Sequence, residues 1–441
     1  MISRRTVLKA AAATVSVAAA PLAGRAAPDR FVRRVGMGLV RDGKRYRYVG
    51  ANMWHAAYLG AAAPVGDGDR LRRELDALAG MGVRNLRLLA SSELSPLTNS
   101  VRPTFRDRGS HYNEALLRGL DVALAEMGRR DITGVLYLTN FWEWSGGMMT
   151  YLSWVNGGSY INNNDPAHPW PEFANRASDF YANADAVRLY HDYVRAIVGR
   201  TNSVTGVRYA DDPTIMAWQL ANEPRPGGGE AVARANMAAF DGWITATARL
   251  IKSIDRNHLV STGSEGLKGC VEDEGCVVAE HRGPEIDYLT AHVWPLNWSW
   301  VDDHDLAGTW AAGAAKSRAY VDAHVAMARR LGKPLVIEEF GFPRDAGYDP
   351  AASTQWKDRF YGLIYDAVLA GAAAGGPVAG SNFWGWGGEG RSTRADHRFT
   401  AGPAAYVADP PHEPQGWYSV FDTDASTRAV IRAHATALAR I

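Results

Sequence analysis

From about Tyr46 to the end of the chain, short apolar runs rich in strand-forming residues alternate with longer stretches whose apolar residues recur three or four positions apart. This alternation predicts parallel β/α units, strands buried in a sheet and helices covering it. Strands are expected near Tyr46 to Met53, Asn85 to Leu89, Gly134 to Thr139, Thr214 to Leu220, Leu259 to Thr262, Ile286 to His292, Leu335 to Phe340 and Val378 to Trp384. Eight such runs favour a closed barrel over an open sheet. Between them Leu71, Leu75 and Leu78, and again Phe240, Trp243 and Ile244, share single helical faces and are assigned to the layer packed on the barrel. The expected fold is α/β, a single (β/α)8 TIM barrel with an extended loop after the third strand, from Ser145 to Asp179.

In such a barrel the chemistry sits on the loops that follow the strand C-termini. Polar and aromatic residues gather at those positions: Trp54 and His55 after the first strand, Arg87 in the second, Asn140, Trp142 and Trp144 after the third, Asn222 and Glu223 after the fourth. His292, Trp294, Trp298 and Trp300 follow the sixth, Glu339 ends the seventh, and Trp384 and Trp386 end the eighth. Flat indoles on one rim suit sugar rings, whose apolar faces stack on them while the ring edges keep their hydrogen bonds. Two of the strands end on carboxylates, at Asn222-Glu223-Pro224 and at Glu338-Glu339-Phe340-Gly341. A lone glutamate there is ordinarily a solvated cap or an ion-pair partner. A pair points to glycosidic bond cleavage, in which the leaving oxygen gains a proton while a cation-like anomeric carbon is stabilised.

Composition narrows the partners. A formal net charge of +1 gives no basic field for nucleic acid. No linker or repeat divides the chain, so residues 28–441 are read as one catalytic domain, expected to be a monomer. Residues 1–27 carry Arg4-Arg5 before an uncharged run from Ala10 to Leu22, and resemble a cleaved twin-arginine export signal, which places the mature protein in the periplasm or the medium. No later segment is long and apolar enough to span a bilayer, so no membrane contact is expected after cleavage. In an exported protein the two cysteines, Cys270 and Cys276, read as a local disulfide; a metal ranks below it because no histidine pair stands beside them at ligand spacing.

The segments TIMAWQLANEPRP and KPLVIEEFGFP resemble the acid/base and nucleophile segments of glycoside hydrolase family 5. VGANMWHAAYLG from Val49, GVRNLRLLASSE from Gly82, VLYLTNFWEWSGG from Val135, STGSEGLKGC from Ser261, IDYLTAHVWPLNWSW from Ile286 and GSNFWGWGGEGR from Gly380 extend the likeness to the bacterial endo-β-1,4-mannanases of that family. The resemblance implies a retaining hydrolase with no metal or cofactor, acting on mannan, glucomannan, galactomannan or manno-oligosaccharides. It implies Glu223 as acid/base and Glu339 as nucleophile, Arg87 holding the nucleophile ionised, Asn222 donating to the sugar 2-OH, His292 near the catalytic centre and Trp384 under the sugar beside the scissile bond. Trp54, Asn140, Trp142 and Trp294 are further candidate binding residues; Trp294 stands where many relatives carry a tyrosine whose hydroxyl reaches the nucleophile. Adjacent strand residues point to opposite faces, so only one of Glu338 and Glu339 is expected to face the mouth. Three alternatives stay open: an exo-acting β-mannosidase, if the Ser145 to Asp179 insertion walls off the cleft; a cellulase; and a carbohydrate-binding barrel without activity.

Overall fold

The computed structural model describes residues 30–441, so the proposed export signal lies outside the described residues. Eight parallel strands form the barrel: β1 (Tyr48–Asn52), β2 (Val83–Leu89), β3 (Thr133–Tyr137), β4 (Ile215–Gln219), β5 (Leu259–Ser261), β6 (Leu289–Val293), β7 (Leu335–Phe340) and β8 (Val378–Phe383). Each expected strand is present. Ladders join neighbours from β5 through β1 to β6, and the seam between β5 and β6 is held by Asp287 N–H to Val260 O at 2.7 Å and His292 N–H to Glu265 O at 3.1 Å.

The principal helices of the outer layer are α1 (Gly68–Gly80), α2 (Glu114–Gly128), α3 (Ala184–Val198), α4 (Glu230–Ile254), α5 (Glu274–Arg282), α6 (Leu306–Leu331), α7 (Gln355–Ala373) and α8 (Ala425–Leu438). Several begin where the sequence supplies a side-chain acceptor: Asp67, Asn113, Asn183 and Asp305 take backbone N–H groups of the first turns of α1, α2, α3 and α6. Gly332 ends α6 in the left-handed conformation that favours glycine. Leu71, Leu75 and Leu78 of α1 and Phe240, Trp243 and Ile244 of α4 are buried, as their spacing predicts.

One element is absent from the strand pattern. Arg33–Val35, Gly38–Arg41 and Lys44–Tyr46 form an antiparallel three-stranded sheet, so the first expected run divides between this sheet and β1. Its Val32 and Leu39 pack with Tyr48, Val135, Met216 and Val336 in a core separate from the main one. These strand-entry residues place the small sheet across the barrel floor, away from the mouth.

At the mouth, the extended segment after β3 folds into helices Gly147–Val155 and Glu172–Ala177 with an intervening loop that leaves Trp170 55% exposed. The loop after β8 is longer still, and a small sheet of Trp386–Gly388 with Val420–Phe421 draws its ends together. A buried pair on α1 anchors it. Arg70 donates to Glu74 at 2.9 Å and to the carbonyls of Gly387 and Tyr406, while Glu74 accepts the Trp386 indole N–H at 2.7 Å and the Glu389 amide at 2.8 Å. Removing one partner of a buried pair strands the other charge. Glu74→Ala is expected to cost about 3–5 kcal/mol of stability, read from denaturant unfolding; an unchanged midpoint would contradict this anchoring.

Candidate active site

Two strand ends build the centre. After β4 the backbone turns so that Asn222 N–H reaches Thr139 O at 2.8 Å and Glu223 N–H reaches Gly263 O at 3.0 Å, with Glu223 at φ 49°, in the left-handed region a non-glycine residue seldom occupies. On β7 the pairing with β6 slips between Ile337 and Glu339. Glu339 lines the mouth and Glu338 does not, as the alternation predicts, yet Glu338 stays inside the barrel and both carboxylates face Arg87. A carboxylate oxygen of Glu223, one of Glu339 and a ring nitrogen of His292 lie within 4.8 Å of one another.

Arg87, fully buried, is the hub. Its guanidinium donates to Glu339 at 2.5 Å, Gln219 at 2.7 Å, Asn222 Oδ1 at 2.7 Å and Asn52 at 3.2 Å. Trp294 Nε1–H donates to the other oxygen of Glu339 at 3.2 Å. The indole thus takes the donor role expected of a tyrosine at this position. Glu223 accepts Trp142 Nε1–H at 2.6 Å and pairs with His292 Nδ1 at 2.6 Å, and the same ring nitrogen is 3.3 Å from Glu339.

These groups titrate together. Burial acts against the charge on His292, but Glu339 and Glu223 outweigh it and raise the imidazole to about 10. Burial would likewise raise Glu223; its hydrogen bond and charge contact with His292 prevail and lower it to about 2. Burial dominates at Glu339 and lifts it to about 7 against the pull of His292 and Arg87. The two carboxylates thus favour the charged imidazole of His292, which in turn favours the ionised form of Glu223, one hydrogen bond away, while burial works against charge on Glu339. The Glu223, His292 and Glu339 donor set has the composition of a metal site, but Arg87 already supplies the cation against Glu339.

A cavity of about 610 Å³ opens over this centre. Its lining comes from the loops after β3 to β8 and includes four of the expected residues besides the two glutamates: Trp142, Asn222, Trp294 and Trp384. Three others lie behind the wall. Arg87 and His292 hold the carboxylates, and buried Asn140 takes Asn222 Nδ2–H at 3.1 Å and Trp142 N–H at 3.0 Å, so it positions both neighbours. Trp54 is a correction. It is 1% exposed, donates to Ala408 O at 3.0 Å and packs beneath the β8 loop against Phe399, Tyr406 and the cavity-lining Trp144, so it does not itself line the cavity. Cys270 and Cys276 are joined, closing a loop that carries Val271 and Glu272 to the cavity wall.

Several lining residues were not singled out from the sequence. Arg225 pairs with Glu265 and lies over the rings of Trp142 and Trp170 at 5.0 and 5.6 Å, and Glu265 also accepts the indole N–H of Trp298, a rim residue the sequence did mark, at 3.1 Å. Arg225 and Glu265 stand inside the family-like segments ANEPRP and STGSEG, a signal available to inspection. Pro410, His412 and Glu413 from the β8 loop had none.

Residues 29–441 match the model for glycoside hydrolase family 5, β-mannosidase-like. The chain belongs to glycoside hydrolase family 5. This family 5 enzyme is 32% identical over 378 residues to mannan endo-1,4-β-mannosidase 1 of rice (Oryza sativa subsp. japonica), an alignment covering 80% of this chain and 78% of the relative. A family 5 mannosidase from Rhizomucor miehei superposes with a TM-score of 0.85 at 34% identity over 93% of this chain and 98% of that one. An endo-1,4-β-mannanase of the same organism, 22% identical over 93% of this chain and all of its own, superposes with a TM-score of 0.67 and shares the fold.

Arg87 sets one limb of the pH profile. Arg87→Gln removes the nearest cation from Glu339, so its carboxyl rises further and the acid limb of kcat/KM moves to higher pH, by about 1–3 units. Arg87→Lys should restore part of the shift. An acid limb unmoved in Arg87→Gln would show that this ion pair does not control the nucleophile.

Proposed function

We propose that the protein hydrolyses β-1,4-mannosidic bonds of mannan, glucomannan or galactomannan, internally along the chain and with retention of configuration. The observation that carries the mechanism is the 4.8 Å limit on the separation of the Glu223 and Glu339 oxygens in the cluster. Retention works with carboxyl groups about 5–5.5 Å apart, whereas inversion needs about 6.5–9.5 Å to admit a water. The substrate reading draws on the plant relatives, which are mannan endo-1,4-β-mannosidases.

In the first displacement Glu339 attacks the anomeric carbon while Glu223, having received the His292 Nδ1 proton, hands it to the departing oxygen. Arg87 and Trp294 release Glu339 from part of its charge stabilisation as it becomes an ester. In the second, Glu223 takes a proton from water, which attacks from the face the leaving group vacated, and Glu339 is restored. Trp384 and Trp142 offer indole surface to the sugars, and the second Asn222 Nδ2–H, not used by Asn140, is available to a hydroxyl.

A second reading, exo-action from chain ends, is favoured by one feature of the wall. No cavity-lining residue comes from the loops after β1 or β2, and the β8 loop crosses toward the β3 loop, with His412 Nδ1 3.9 Å from Glu143. A cleft closed on that side would admit only a terminal sugar. The family model's β-mannosidase-like description agrees with this reading.

A timed digestion of ivory-nut mannan, glucomannan, xylan and carboxymethylcellulose decides among these. Early mixed manno-oligosaccharides are expected; mannose alone would establish exo-action, and no turnover of any mannoside would overturn the assignment. Glu223→Ala and Glu339→Ala should each lose about 10²-fold or more. We also propose export by the twin-arginine route, supported by Arg4-Arg5 and by the Cys270–Cys276 bond, which suits an oxidising compartment. Replacing both arginines with lysine should leave the protein in the cytoplasm; undiminished export would refute that route.

A further inference from the structure

The cavity accounts for Glu223 and Glu339 but not for Glu338. This carboxylate is completely buried, does not line the cavity, and stands on β7 beside the nucleophile. One oxygen accepts Gln219 Nε2–H at 2.5 Å and lies 3.4 Å from Arg87 Nε and 3.9 Å from His292 Nε2. Its other oxygen has no hydrogen-bond partner among the described residues, and neither has His292 Nε2. A buried ionised carboxylate costs several kcal/mol of desolvation, so an apolar residue would be cheaper here if only packing were required.

We propose that Glu338 is the positioning counter-ion of His292, holding a proton on Nε2 so that Nδ1 is the nitrogen that delivers a proton to Glu223. This rests on the two-glutamate reading of the site. The imidazole stands between carboxylates on both sides: Glu223 and Glu339 at Nδ1, Glu338 at Nε2. Doubly protonated, it is balanced from both faces. When the Nδ1–H bond breaks and the Glu223 O–H bond forms, the electron pair stays on Nδ1 and the ring becomes neutral. A neutral imidazole keeps one proton, and which nitrogen keeps it depends on the partner of the other. Glu338 favours Nε2–H, leaving Nδ1 as the acceptor opposite the newly protonated Glu223. Without Glu338 the tautomer with the proton on Nδ1 becomes competitive and opposes transfer. Glu223 takes a proton from the attacking water and passes it back across the same hydrogen bond to Nδ1, so the Glu223 O–H bond breaks, the Nδ1–H bond re-forms and the cycle closes without net gain.

The other titratable and charged groups facing this pair are few. Arg87 approaches Glu338 from β2, the tyrosines Tyr48 and Tyr288 from β1 and the approach to β6, and Glu265 and His324 interact with His292 from the β5 loop and α6. Glu338 raises both His292 and Glu339. Removing its charge therefore lowers both.

The test is the pH profile of Glu338→Gln. Both limbs of kcat/KM should move to lower pH together, by about one unit or more. The loss at neutral pH should be greater for manno-oligosaccharides, whose leaving group needs a proton, than for 2,4-dinitrophenyl β-mannoside, whose leaving group does not. A purely structural role would lower stability or overall rate and leave both limbs in place, and that result overturns the proposal. Nitrogen NMR of histidine-labelled wild-type protein gives an answer even if the variant does not fold: His292 protonated on both nitrogens at pH 7 is expected, and a neutral ring protonated on Nδ1 alone refutes it. A wild type inert toward every β-mannoside would instead defeat the catalytic reading, while the NMR result would still judge the Glu338–His292 pair.

Discussion

The site depends on charge compensation among side chains that the barrel buries. Arg87 and His292 face Glu223, Glu338 and Glu339 across the upper barrel, all nearly or wholly buried. Isolated, any of these charges would be prohibitive in such surroundings; paired and hydrogen-bonded, they persist. The barrel supplies the pairing geometrically. Arg87 comes from β2, His292 from β6 and the two β7 glutamates from a strand whose register slips at that point, so partners far apart in sequence converge on one axis. Gln219, Asn52, Asn222 and Asn140 fill the remaining hydrogen-bonding valences with neutral amides, which orient the ions without adding charge.

The fold was legible because its signal is periodic. Eight apolar runs and the stripes on α1 and α4 are local patterns, and each maps onto an observed element. The floor sheet escaped for the opposite reason: its strands are three or four residues long and rich in Arg and Lys, too short to show alternation. Glu223 and Glu339 stood out through their neighbours. Trp54 was misplaced because a tryptophan after a strand looks the same whether it meets a ligand or a neighbouring loop; only the path of the β8 loop, set by contacts with α1 far away in sequence, decides between them.

The same loop explains why the cavity wall was the least readable part. His412 and Glu413 sit in a stretch without periodicity, and their place follows from the Arg70–Glu74 anchor and from Tyr418 reaching Asn297 on the β6 loop. Arg225 and Glu265 lay within recognisable segments, but their mutual pairing is a property of two strands side by side and not of either segment. Chemistry carried at strand ends can be read from sequence; enclosure made by loops meeting across the mouth cannot.

The floor sheet sets the direction in which the polypeptide meets the barrel. Arg30 O accepts Arg41 Nε–H, and Arg41 in turn pairs with Asp131 just ahead of β3, so the first described residues lie under the barrel and Glu223 and Glu339 lie at the other end of the strands. A solid support, reporter or cell-wall anchor joined at that point would leave the mouth facing outward. An enzyme fixed by that face of the barrel would still present its mouth to a polysaccharide too large to diffuse.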